Sequence, residues 1–103
     1  MSDLGLHKRR LRYSQLPDRE AIAMEMIASV LARQKGGLAH VNGAKLFRRF
    51  GFELFPRDLT VFYYDVVHSL SCVQLDGSRW VLFSAEKTKT RRGKIIKLVY
   101  KRL

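Results

Sequence analysis

The chain has 103 residues, 47% of them apolar, enough for one hydrophobic core and too little for two. Its 20 Lys+Arg against 9 Asp+Glu give a formal net charge of +11, a self-repulsion that adds nothing to folding and points to an anionic partner. No apolar run reaches the roughly 18 residues of a membrane span, no secretory signal core is expected, and Cys72 has no second cysteine to pair with, so a cytoplasmic or nucleoid-associated protein is expected.

Residues 1–16 have neither helical nor alternating periodicity. They are expected to form a basic arm, Lys8, Arg9, Arg10 and Arg12 against Asp3, mobile unless Leu11, Tyr13 or Leu16 docks. A domain is expected over 17–103. Pro17 and Asp18 open a first helix to about Gln34, with Ile22, Met26, Ile27, Val30 and Leu31 as its apolar stripe. Gly36 and Gly37 stop it. An extended piece spans Leu38 to Val41, and Asn42 is the N-cap of a short helix from Gly43 to Phe50. Leu46, Phe47 and Phe50 are its buried face, and Lys45, Arg48 and Arg49 its exposed one.

A third helix begins near Pro56 or Arg57 and runs to about Leu70. Leu59, Phe62, Tyr63, Val66, Val67 and Leu70 repeat at three and four, which predicts a helix despite the strand-favouring Val61–Tyr64. The remainder reads as strands over 71–75, 79–85 and 94–101. Asp76-Gly77 signals a tight hairpin turn, and the polar segment Glu86–Gly93 a loop. Residues 87–103 hold eight basic side chains and no acid, whereas 13–86 balance to zero, so the excess charge is confined to the two ends.

The fold class expected is therefore α+β, three helices followed by an antiparallel β-meander. This order, with its basic hairpin, resembles a winged-helix domain, a helix-turn-helix variant, over about residues 17–102. The resemblance implies that the third helix enters a DNA groove with a face of Arg57, Thr60, Val61, Tyr64, Asp65 and His68. It implies a wing made of Lys87, Lys89, Arg91, Arg92 and Lys94. Asp58 and Asp65 on that helix would repel phosphates, which makes the second helix and the wing the stronger electrostatic candidates.

Long cations on a projecting ribbon can straddle a nucleic-acid backbone, and Gly93 permits close approach. Lys8, Arg9 and Arg10 are candidates for a groove-lying arm, and Lys45, Arg48 and Arg49 for a phosphate clamp. Phe47, Phe50, Phe62, Trp80 and Phe83 are expected in the core, while Tyr64 and Tyr100 are the candidate stacking groups. Cys72 is expected to be a buried thiol. His7, His40 and His68 lack metal spacing and no phosphate-binding Gly-rich loop is present, so neither catalysis nor a cofactor is expected.

The expected function is nucleic-acid binding, double-stranded DNA before RNA, by a small transcription regulator or chromatin-associated protein. Two alternatives stand beside it. One is single-stranded DNA or RNA on the sheet, which requires Tyr64, Trp80 or Tyr100 exposed beside the ribbon. The other is a protein-interaction module docking on an acidic partner, favoured by an exposed apolar patch around Met24 and Ala28. Homodimerisation stays open.

Overall fold

The structure of the protein, a computed structural model, describes residues 12–103. Lys8, Arg9, Arg10 and Leu11 lie outside the described residues. A 3-10 turn (Tyr13–Gln15) precedes helix α1 (Arg19–Leu31), strand β1 (Leu38–Asn42), helix α2 (Gly43–Phe50) and helix α3 (Pro56–Ser69). Strands β2 (Cys72–Leu75), β3 (Ser78–Thr90) and β4 (Gly93–Arg102) complete an antiparallel sheet of order β1-β4-β3-β2. The fold is α+β, with helices followed by a β-meander, and its order of elements is the one on which the winged-helix resemblance rests.

Local chemistry accounts for the boundaries. The Asn42 side chain accepts from the Lys45 amide at 3.1 Å and satisfies a free donor at the start of α2. Gly51 ends that helix at φ 80°, where a side chain would be strained. Pro56 occupies the first turn of α3, where its missing N–H costs nothing. Helix α1 ends at Leu31, short of Gln34, because its last turn tightens: Arg33 and Gln34 donate to Val30 and Leu31, three residues back. Asp76 and Gly77, at φ 52° and 78°, make the tight β2–β3 turn that their pairing predicts.

The core lies between the helices and one face of the sheet. Tyr13, Phe47, Phe52 and Phe62 form an aromatic cluster with ring centroids 5.4 Å (Tyr13–Phe47) to 5.9 Å (Tyr13–Phe52) apart. Trp80, Ile96, Leu98 and Tyr100 supply the sheet side. Tyr13 is thus fully buried and Leu16 packs against the core, so residues 12–16, expected in the arm, belong to the packed fold.

Four other expectations are corrected. Strand β3 runs unbroken to Thr90, so the expected loop 86–93 is two paired strand ends and a short turn. Phe83 is 68% exposed rather than core, because a β-bulge makes it the extra residue between the Leu82–Tyr100 and Ser84–Val99 pairs. Tyr100 is buried and donates to the Leu70 carbonyl at 2.7 Å, which removes it from the stacking candidates; burial raises its phenol pKa. Cys72 is exposed.

Candidate nucleic-acid interface

The bulge decides which side chains of the ribbon face the helices. Directly opposed residues of an antiparallel pair share a face, and faces alternate along each strand. Ile96 is buried, and its partner is Lys87. Two residues further out, Lys89 stands opposite Lys94 on the same face. In an unbulged ladder, with Phe83 paired opposite Val99, Glu86 and Thr88 would take that face instead. Lys87, Lys89 and Lys94 therefore continue outward the stripe that begins with Leu98 and Ile96. From the Lys87–Ile96 pair to Thr90 is three residue steps, about 10 Å of ribbon beyond the last core side chain.

The ribbon ends in Arg91 and Arg92, both exposed, between the paired Thr90 and Gly93. Gly93 stands at φ 118°, which L side chains rarely adopt, and Thr90 Oγ1 donates to its carbonyl at 2.7 Å. Lys89 and Lys94 are directly opposed like charges, which weaken a hairpin.

Lys87 joins the ribbon to α3. Its Nζ donates to Tyr64 Oη at 3.1 Å and lies 4.4 Å from the centroid of that ring and 5.3 Å from that of Tyr63. Tyr64 is 48% exposed and stacks on His68, ring centroids 6.2 Å apart. Arg57, Tyr64 and His68 fall on one exposed face of α3 at steps of seven and four, with half-buried Thr60 and Val61 between them.

The carboxylates of α3 are turned away from this face. Asp58, buried, accepts from Arg12 Nε at 2.9 Å and Nη2 at 3.1 Å and from Ser14 Oγ at 2.7 Å. Burial alone would raise its pKa, but the bonds from Arg12 and Ser14 outweigh it and hold the carboxyl below the ordinary carboxylate value. Asp65, also buried rather than exposed as expected, accepts from Tyr13 Oη at 2.6 Å and Arg19 Nε at 2.8 Å. Both acids are neutralised from the N-terminal segment and α1, so they do not oppose an anion on the outer face.

Comparison with protein-family models, curated proteins and solved structures finds no match.

The expected site residues divide into two groups. Lys87, Lys89, Arg91, Arg92, Lys94 and Tyr64 come together along the ribbon and α3, with Arg57 on the same helix face. On α2, Lys45 and Arg49 instead line a groove beside β1, and Arg48 does not. The C-terminal charge is also smaller than it reads in sequence. Arg102 lies over the Trp80 ring at 4.6 Å and donates to the Gln34 carbonyl at 3.0 Å, so it ties β4 to the end of α1. Arg12, Ser14, Tyr13 and Arg19 were not anticipated as partners of the α3 acids. A signal was present: Asp58 and Asp65 are seven residues apart and in phase with Leu59, Phe62 and Val66, at the margin of the buried stripe.

No helix among the described residues is long and apolar enough to cross a membrane. The large exposed apolar side chains among them are Leu38, Phe55, Tyr64, Phe83 and Leu103; Met24 and Ala28, where an exposed patch would have favoured the protein-interaction reading, are half-buried.

Proposed function

We propose that this chain binds nucleic acid, foremost double-stranded DNA, with the β3–β4 ribbon and the exposed face of α3, as a small regulator or chromatin-associated protein. The observation that carries this reading is the Lys87–Tyr64 contact. It holds a ribbon of five cations against a helix face whose carboxylates are buried elsewhere. Phosphates bind by charge and by reach, and the ribbon offers both. Arg57, Tyr64 and His68 supply donors and a ring for the groove. The opposed Lys89 and Lys94 are relieved by an anion between them, so the feature that weakens the free hairpin strengthens the complex.

Two observations favour a second reading, single-stranded DNA or RNA. Tyr64 is exposed beside the ribbon and Phe83 is an exposed aromatic on β3, two rings for stacking bases, whereas Trp80 and Tyr100 are buried.

Fluorescence anisotropy against duplex DNA, single-stranded DNA and RNA across a salt series tests both. Neutralising about five phosphates gives a slope of log K on log salt near −4.5 for the duplex. Changing Lys87, Lys89, Arg91 and Arg92 together to Ala lowers that magnitude by about 3–4. Preference for single strands, lost in Phe83→Ala, moves the function to the second reading. Absence of binding at low salt refutes both.

A further inference from the structure

Strand β1 is an edge of the sheet, paired with β4 and, among the described residues, with no other strand. The Arg102 amide donates to the Gly37 carbonyl, and these two residues continue the β1–β4 register by one step. That sets the alternation of the ladder. Ala39 and Val41 spend their backbone groups on β4, and Leu38 and His40 turn their N–H and C=O outward. Both side chains are exposed.

A groove of about 600 Å³ runs along this edge. Half-buried Val30 and Val99 contribute apolar lining, above the buried Val41, Leu46 and Leu98. Arg33 from the end of α1, Lys45 and Arg49 from α2, and Lys97 from β4 surround it, against the single acid Glu86. The Lys97–Glu86 pair alternates with Ile96–Lys87, so it faces the opposite side of the ribbon from the lysine that touches α3.

We propose that this groove receives an extended acidic peptide, which adds to β1 as a further strand. The open N–H and C=O groups of Leu38 and His40 supply main-chain bonds, alternate apolar side chains of the peptide enter the lining, and its carboxylates meet the four cations. Charge selects this occupant. A second copy brings +11 to a basic rim, and the chain's own Lys8, Arg9 and Arg10 are repelled as well. A phosphate backbone finds no partner in the apolar lining and does not use a strand edge. The proposal does not rest on nucleic-acid binding by the ribbon.

The test uses the full chain and a fluorescein-labelled octapeptide of alternating Val and Glu, beside the same peptide with Gln for Glu. The acidic peptide is expected to bind at least about tenfold more tightly than the Gln peptide, and a Lys45→Glu/Arg49→Glu variant to lose at least about tenfold. Both positions are exposed, and circular dichroism confirms that the variant is folded. His40→Pro, which removes a free-edge N–H at a position where proline suits an edge strand, is expected to weaken binding too. The largest amide shifts in NMR titration are expected at Leu38 and His40, with saturating duplex DNA leaving the peptide bound. No binding, equal binding of the Gln peptide, or shifts centred on the ribbon overturns the proposal. Displacement of the peptide by DNA, with loss of DNA affinity in the Lys45/Arg49 variant, also overturns it and assigns the groove to nucleic acid. The ribbon variant reads the DNA site separately, so either proposal fails without the other.

Discussion

Asp58 is buried, and it is charged because three donors replace its water. Its folded-state pKa lies below the unfolded value, so the stability it contributes is present above about pH 4 and is lost as pH falls through the lower folded value. Thermal melts followed by circular dichroism should be flat from about pH 8 to 5 in this contribution and fall below about pH 4. Asp58→Asn should lower the melting temperature at neutral pH and flatten the acid limb. Tyr13 serves the other acid: its hydroxyl donates to Asp65, and burial raises its phenol pKa so that it stays a donor. Tyr13→Phe removes that donor inside the core. It should destabilise by about 1–2 kcal/mol, which is roughly 5–10 °C in a domain of this size.

The elements α2 and β4 meet at a glycine. A Cβ at Gly43 would stand 2.9 Å from the Ile96 Cβ, a backbone-proximal atom that cannot swing aside. Gly43→Ala should therefore destabilise by about 1–3 kcal/mol through overpacking, even though alanine is the better helix former by about 1 kcal/mol. Urea unfolding gives the sign directly. Asn42→Ala, at the preceding position, should cost about 1 kcal/mol through the lost cap. The starts of α2 and α3 and the hairpin turn at Asp76-Gly77 are legible in sequence, because caps, prolines and paired turn residues act over a few neighbours. The extent of β3 is not. Strand pairing across Lys87–Ile96 overrides the loop-like composition of 86–93, and a one-residue bulge changes which face every later side chain takes.

Across the whole molecule, the net charge of +11 fits the proposed anionic partners but does not say which cations remain free after folding. Folding withdraws Arg12, Arg19 and Arg102 into structural contacts, and among the described residues cations gather on the ribbon and around the β1 groove. If the ribbon's charge serves binding rather than folding, a Lys89/Arg91/Arg92→Ala variant, which keeps the Lys87–Tyr64 contact, should lose duplex affinity. Its melting temperature should stay within about 2 °C of wild type or rise, since the repulsion of Lys89 and Lys94 is worth only tenths of a kcal/mol to about 1 kcal/mol. A melting temperature several degrees lower would show that the cations hold the fold together instead.

The sequence by itself determined the class of fold, the presence of three helices, the Asn42 cap of α2, and the segregation of positive charge to the chain ends. These depend on periodicity, capping and composition, which are local. The tertiary structure alone decided that Tyr13 enters the core, that the two α3 acids are buried against Arg12 and Arg19, that Phe83 is expelled by a bulge, and that Lys87 reaches Tyr64. Each of these depends on groups far apart in the chain meeting at a distance of a few ångströms, and only packing sets that distance.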